Sequence, residues 1–362
     1  MIYYRIAEVT LQSDCNLPSF DTFNCDPCKA DVLLAITKEL PPAGKESRSG
    51  SIIHRKISDG WFFHFKDTDQ YGLYVNEDYS HLKMLGVEDS DIDIWMEWFI
   101  MIALECLLIR RGYVSLHSAA VEIKGEAIAF SGNSGIGKST RAEAWINALG
   151  AKMVNGDRPL INVKDLSLYG VPWDGKEQCY RNVSFPLKAI CEIRRSSSAY
   201  LREMNFAQRR KFLIRQCFIP MWDTETATVQ IANITELAKR AKIVRAFCGP
   251  SEDDAKALCR MLQDNKMLKE ETDMKAKSGF VLRNVVDEYI LMPTGENIGK
   301  FNGTVLLNEV SAFIWEKLHN PISKEDLIKA ILDEYNVQRS DASADLDELL
   351  KTLKQFDVIE DD

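Results

Sequence analysis

The sequence predicts an α/β protein in several parts: a nucleotide-binding α/β core, a β-rich module before it, and a small sheet-and-helix domain after it. Three observations predict this. The 362 residues exceed what one ordinary core accommodates. A glycine-rich loop, Gly132 to Ser139, lies between a strand pattern and a helix pattern. Residues 280–362 carry their own turns and three amphipathic helix patterns.

Composition places the chain among folded proteins, with 46% hydrophobic and 27% charged residues. The net charge of -9, with basic residues no denser than the pairs Arg110-Arg111, Arg194-Arg195 and Arg209-Arg210, argues against a nucleic-acid partner. The N-terminus MIYYRIAEVT lacks a basic segment followed by an apolar run, and no stretch approaches the roughly 20 apolar residues that span a bilayer. Ile94 to Ile109 is the longest apolar run and is interrupted by Glu97 and Glu105, which predicts a buried helix. The nine cysteines are odd in number and scattered, as in a cytoplasmic protein with reduced thiols. Cys25 and Cys28 have the spacing of half a zinc site, but nothing completes four ligands, so they read as two loop thiols.

Residues 1–92 alternate short apolar and polar stretches, with Asp59-Gly60 between two β-prone runs in Ser51 to Phe65 and a polar loop at Pro41 to Gly50. Residues 93–264 form the core, opened by a helix near 91–111. There Tyr113 to Gly125 reads as one strand, Ala127 to Gly132 as another, and Thr140 to Leu149 as helix. Further strands are expected at Lys152 to Asn155, Leu160 to Val163, Leu187 to Ile193 and Ile243 to Cys248, and a helix at Glu252 to Asp264. The charged stretch 265–279 reads as a linker. In 280–362, strands at Phe280 to Met292 and Lys300 to Leu307 precede helices opening at Asn308 and at Ser323, the latter with Asp326 at capping-box spacing. The third helix carries Leu346, Leu349, Leu350 and Leu353.

Gly132-Asn133-Ser134-Gly135-Ile136-Gly137-Lys138-Ser139 fills every position of the P-loop pattern G-x-x-x-x-G-K-[ST]. Glycines let successive N–H groups converge on an anion, and the helix that follows adds its N-terminal partial charge. The ligand set expected is ATP or another nucleoside triphosphate with Mg²⁺. Lys138 meets the β- and γ-phosphates, Ser139 ligates the metal, and Thr140 closes the nucleotide site. Three further clusters surround the loop. His117 precedes it on a strand. Asn155-Gly156-Asp157-Arg158-Pro159 follows it at a strand end, where Asp157 suits metal binding or proton acceptance, though the same composition suffices for a turn. Gly170 to Lys176 offers Trp173, Asp174 and Lys176 as a substrate wall or a packed turn.

Together, LHSAAV, SGNSGIGKST, NGDRP, GVPWDGK and FPLKAI, over about residues 113–262, resemble the HPr serine kinase/phosphorylase family and its relatives with the phosphoenolpyruvate-carboxykinase type of P-loop fold. The resemblance implies that His117 approaches the phosphates or positions the nucleophile. It implies that Lys138 and Ser139 serve nucleotide and metal, and that Asp157 is the catalytic or metal-binding acid. Where that family has two consecutive acids, this chain has Gly156 and then Asp157, and Thr140 follows the P-loop serine. Both departures favour a one-way kinase over a reversible one.

Residues 280–362 resemble PqqD, the peptide chaperone of pyrroloquinoline quinone biosynthesis and of many pathways for ribosomally made, modified peptides. The features that carry this are Tyr289-Ile290-Leu291-Met292, Phe301-Asn302-Gly303, Leu306-Leu307-Asn308-Glu309 and Ala312-Phe313-Ile314-Trp315. The resemblance implies a winged-helix-like domain that takes the leader of a precursor peptide as an added strand. The expected function is therefore an ATP- and Mg²⁺-dependent kinase of a Ser or Thr hydroxyl on such a peptide. A kinase of a small molecule or free amino acid, and a nucleotide-gated chaperone without transfer activity, are the alternatives. Association of identical chains is left open, and a membrane partner is not expected.

Overall fold

The computed structural model describes residues 1–41, 46–49, 52–65, 68–86, 94–173, 179–265, 273–285, 288–295, 297 and 305–361. They divide into two compact units, Met1–Leu268 and Lys269–Asp362. The N-terminal strands and residues 93–264 thus share one unit. The segment read as a linker supplies a strand, Met274–Ala276, to the other.

The first unit opens with eight strands: β1 (Ile2–Ile6), β2 (Val9–Ser13), β3 (Val32–Thr37), β4 (Glu46–Ser49), β5 (Ile52–Ile57), β6 (Gly60–Phe65), β7 (Thr68–Asn76) and β8 (His81–Leu85). They form one sheet in the order β1-β2-β3-β8-β7-β6-β5-β4. The expected hairpin at Asp59-Gly60 joins β5 to β6, and a Cβ at Gly60 would lie 1.9 Å from the Val75 carbonyl oxygen, so only glycine fits. Buried residues recur every second position, as in Tyr4 and Ile6, Val32 and Leu34, and Leu73 and Val75, while in β6 Trp61 and Phe63 face the same cluster. That face packs on α1 (Ile94–Arg110), which contributes Phe99, Ile100, Ala103, Leu104 and Leu107 to the same cluster. The cluster continues into Tyr113 and Leu160 of the following sheet and into Val171 and Trp173 of the segment after its Ser167–Tyr169 strand. The β-rich module and the core therefore share one hydrophobic interior.

The second sheet comprises β9 (Tyr113–Ser115), β10 (Ser118–Ile123), β11 (Glu126–Ser131), β12 (Lys152–Asn155), β13 (Leu160–Asn162), β14 (Ser167–Tyr169), β15 (Ser184–Arg195), β16 (Tyr200–Glu203) and β17 (Ile243–Cys248). β11, β15 and β17 run parallel at its centre. As expected of parallel strands they are apolar on both faces. One face packs on α2 (Lys138–Leu149) and α5 (Glu252–Asp264), and the other on α3 (Phe206–Gln216) and α4 (Thr224–Arg240). Apolar periodicity does not mark α3 and α4, although each opens on a capping residue, Asn205 and Asp223. α3 buries only Phe212 and Leu213, and the inward stripe of α4 includes Thr226 and Gln230, so neither shows a clean apolar period. The single strand expected from Tyr113 to Gly125 is also corrected: it is two strands, with His117 in the break.

The second unit adds β18 (Met274–Ala276), β19 (Phe280–Val285), β20 (Glu288–Pro293), β21 (Val305–Leu307), α6 (Glu309–Lys317), α7 (Lys324–Glu334), α8 (Arg339–Gln355) and β22 (Ile359–Asp361). β19, β20 and β21 make an antiparallel sheet in that order, and β18 pairs with β22. Helix starts follow the sequence signals. Asn308 accepts from the Ser311 N–H at 2.8 Å, and Ser323 Oγ accepts from the Asp326 N–H at 3.1 Å. Trp315, Leu318, Leu346 and Leu353 are buried at the centre. Phe301-Asn302-Gly303 and residues 300–304 of the expected strand lie outside the described residues.

One buried carboxylate fastens the first sheet to α1 and α4. Asp223 Oδ1 caps α4 through the N–H groups of Glu225 and Thr226, and Oδ2 accepts from the Tyr79 hydroxyl at 2.9 Å, Arg110 Nη2 at 3.1 Å and Thr226 Oγ1. Burial alone would raise this carboxyl, but the Thr226, Tyr79 and Arg110 partners hold it below the usual carboxylate range. Asp223→Ala leaves Arg110 and Tyr79 without their acceptor and is expected to cost about 3 kcal/mol. Urea denaturation measures this, and a loss under about 1 kcal/mol would contradict the role.

Candidate functional site

The Gly132–Ser139 loop leaves the end of β11 and enters α2 directly. Gly132, Gly135 and Gly137 have φ of 149°, 76° and 95°, so all three lie in the region that favours glycine. Gly137 is the N-cap of α2 and offers no side-chain acceptor, so the Lys138, Ser139 and Thr140 N–H groups lie in the first turn with no intrahelical partner. Lys138 curls back, its Nζ 3.2 Å from Gly132 O and 3.5 Å from Asn133 O. Burial lowers the Lys138 ammonium from its ordinary value, opposed by the Asp157 charge. Asn133, Ser134, Gly135 and Thr140 are exposed, while Ile136, Gly137, Lys138 and Ser139 are half-buried.

A residue outside the motif straps this loop in place. Arg141 is buried in α2, and its Nη1 donates to Ile136 O at 2.9 Å and Gly137 O at 3.3 Å. Its Nη2 donates to Cys248 O, at the end of β17, at 3.0 Å. These bonds turn two loop carbonyls toward Arg141. From the outer side, Arg195 Nη2 donates to Gly135 O at 3.0 Å. Nothing in the sequence distinguishes either arginine beyond its nearness to the loop or to a strand end.

His117 and Asp157 meet although 40 positions apart. His117 Nδ1 lies 2.9 Å from Asp157 Oδ1. His117 sits where the chain passes from β9 to β10, its N–H donating to Gln216 O at 2.8 Å and its carbonyl accepting from Ser131 Oγ at 2.8 Å. Asp157 is set by the turn after β12. Asn155 is fully buried, and its Oδ1 accepts from the N–H groups of Asp157 at 3.0 Å and Arg158 at 2.7 Å. Its Nδ2 donates to Val171 O and Trp173 O, each at 3.1 Å. Asn155 to Arg158 therefore form an Asx turn that presents Asp157. Burial would raise Asp157, but the His117 hydrogen bond and the His117, Arg158 and Lys138 charges hold it below the usual carboxylate range. Ser131, the last residue of β11 before the loop, donates to the His117 carbonyl, so the dyad stands where the loop begins, and Asp157 and Lys138 are within electrostatic reach of each other.

Behind Asp157 lies a small cavity of about 40 Å³, lined by Trp98, Met101, Ile102, Glu105, Asp157, Arg158 and Trp173. Trp173 is buried, and among the described residues its indole N–H has no partner. Asp174 and Lys176, the other two expected substrate residues, lie outside the described residues. Glu105 is a member of this site that the sequence showed only as an interruption in an apolar run. Its Oε1 accepts from Ser115 Oγ at 2.5 Å, and its Oε2 lies 3.4 Å from Arg158 Nη1. Burial pushes its carboxyl above the usual range, against the Arg158 charge and the Ser115 bond. Among the described residues no group of three or more His, Cys, Asp or Glu side chains is arranged to hold a metal.

In the second unit a groove of about 440 Å³ separates the edge strand β21 and α6 from α8. Ile314, Ile331, Leu346 and Leu349 line it, and Leu306 at its mouth is 59% exposed. β21 pairs with β20 on one side, and among the described residues no strand pairs with its other side.

Residues 288–359 match the family described as Coenzyme PQQ synthesis protein D (PqqD). The second unit carries a PqqD domain. No curated protein matches the chain. Among solved structures, the chain is similar to "TbiB1 in Complex with the TbiA(beta) Leader Peptide", with 26% identity over 24% of this chain and 94% of that one, at a TM-score of 0.21. It is also similar to "Lasso peptide synthetase B1 complexed with the leader peptide", with 22% identity over 24% of this chain and 98% of that one, again at 0.21. The PqqD domain includes β20, β21, α6, α7 and α8, and hence the groove. Among the described residues, no helix is long and apolar enough to cross a membrane.

The buried carboxyl of Glu105 gives a signed pH effect. Its folded form binds a proton more tightly than the unfolded chain does. Stability from this group is therefore full below the ordinary carboxylate value of about 4.3 and is lost as pH rises through the raised one. Glu105→Gln keeps an acceptor for Ser115 and removes the titration. The stability of the wild-type chain minus that of the variant should fall across this window and level off above it, as read from denaturation at a series of pH values. A difference that rises with pH would contradict the assignment.

Proposed function

We propose that the chain is an ATP- and Mg²⁺-dependent kinase that phosphorylates a Ser or Thr hydroxyl of a ribosomally made precursor peptide, with the leader held by the PqqD domain. The observation that carries this reading is the His117–Asp157 dyad beside the Lys138 loop, in a chain that also has a peptide-binding type of domain. The loop matches the P-loop pattern, and its three glycines and the free N–H groups of the first turn of α2 suit a triphosphate. Lys138 would leave the Gly132 and Asn133 carbonyls for the β- and γ-phosphates.

Ser139 and Asp157 are the residues that would hold Mg²⁺. One hydroxyl and one carboxylate fit this ion, which takes few protein ligands and completes its sphere with phosphates and water. When bound, the metal neutralises charge on the transferred phosphoryl group. The dyad supplies the proton chemistry. Ionised Asp157 accepts from the His117 Nδ1–H and so fixes that tautomer, which leaves Nε2 to take the proton of the acceptor hydroxyl. One carboxylate would then serve two purposes, holding His117 through Oδ1 and contributing to the metal site. This accommodates Gly156 at the position of a second acid. Leader binding at the PqqD domain would raise the concentration of the core peptide at the dyad to about millimolar, so its own recognition is free to be weak.

The test is incubation of the full chain with ATP, Mg²⁺ and the precursor peptide encoded beside its gene, read by mass spectrometry. The peptide should gain one phosphate, and Lys138→Ala and Asp157→Asn should each lower kcat/KM by about 10²-fold or more. An unmodified peptide from a wild-type chain that binds ATP would favour a nucleotide-gated chaperone, a reading that the lone carboxylate of the turn supports. Ser311→Trp, which fills the groove, separates a third reading. It should raise KM for the precursor, whereas a small-molecule kinase would keep its KM.

A further inference from the structure

We propose that the peptide segment seated in the groove between β21 and α8 is cationic as well as apolar: an extended stretch with apolar side chains on one face and at least one Lys or Arg that meets Asp345 and Glu348. The inference rests on the PqqD domain being the leader-binding part and names the chemistry of its ligand.

Asp345 and Glu348 are three positions apart on α8 and therefore neighbours on one helix face. Both line the groove, and both are exposed. Among the described residues neither forms an ion pair, although four other acids in this unit do: Asp347 pairs with Lys324 at 2.6 Å, Asp357 with Lys277 at 2.6 Å, Glu360 with Lys275 at 3.2 Å, and Glu325 with Arg339. No Lys, Arg or His is among the groove-lining residues, where the remaining titratable group is Tyr335. The Tyr335 phenol is raised chiefly by desolvation and then by the charges of Glu309 and Glu334, which adds two carboxylates near the same groove. The floor is apolar, with Ile314, Ile331 and Leu349.

An extended peptide added at the free side of β21 presents every second side chain to one face. Apolar residues two positions apart would reach the floor, and a cation next in that series would meet the two carboxylates on α8. An acidic peptide would bring like charges together at the same place. The complementarity is with an oppositely charged peptide, since the groove carries no cation to satisfy the carboxylates of a second copy of itself.

The experiment is selection of random 12-residue peptides by messenger-RNA display on the full chain, on Asp345→Asn/Glu348→Gln and on Ser311→Trp. The wild-type chain should enrich peptides with alternating apolar residues and a Lys or Arg. The carboxamide pair should keep the apolar pattern and lose the cation, and winners resynthesised for fluorescence polarisation should bind it about fivefold more weakly at low salt. Ser311→Trp should enrich nothing. Apolar winners without a cation, or a cation preference that persists in the carboxamide pair, would overturn the inference and leave the groove as the leader site. Winners unchanged by Ser311→Trp, or no winners from the wild-type chain, would overturn both. Light scattering on the same proteins covers the remaining occupant: a dimer of the wild-type chain that Ser311→Trp makes monomeric would assign the groove to a second copy and overturn the proposal.

Discussion

A single buried amide organises the first unit. Asn155 takes two backbone N–H groups with its oxygen and gives two hydrogen bonds to carbonyls with its nitrogen, so all four of its ordinary bonds are made within the protein. One pair shapes the turn that presents Asp157. The other draws the Val171 to Trp173 segment against it. Each of these groups would be costly to leave unpaired in the interior, which fixes the relative position of turn and segment more tightly than apolar packing would. His117 then finds Asp157, and Trp173 closes the cavity behind it.

Around that amide, charge is arranged in layers. Asp157 stays ionised because cations and a donor surround it, while Glu105, deeper by one step, is pushed toward its neutral form. Arg158 lies between the two and is felt by both, and it also sits over the Phe218 ring at 5.3 Å. Two carboxyls of opposite tendency flanking one guanidinium is an arrangement that environment, not residue type, creates.

Much of this was legible in the sequence, and the part that was not has physical causes. The loop and the caps at Asn308 and Ser323 were readable because their chemistry is local: a spacing of glycines, or an acceptor three residues before its donor. α3 and α4 were not, because their inward faces are partly polar and the apolar period is diluted. The break at His117 left no trace either, since Tyr113 to Leu116 before it and Ser118 to Val121 after it are buried alike. Glu105 was visible only as an anomaly, and the groove of the second unit was foreshadowed by resemblance. The sharing of one interior by the N-terminal sheet and the core is a long-range property, carried by α1 packing on both, that no window of sequence reveals.

The break at His117 is more than a local irregularity. β9 on one side pairs with β13, and β10 on the other pairs with β11 and β12, so the imidazole stands on a seam between two sets of strands. The end of α3 is stitched to the same seam, through Gln216 O at the His117 N–H and through Ser115 O at the Phe218 N–H. The scaffold thus fixes the two backbone positions from which the 2.9 Å contact of the dyad is made. Both sets of strands rest on the hydrophobic layers, so the fit of the core bears on where the backbones of the dyad stand.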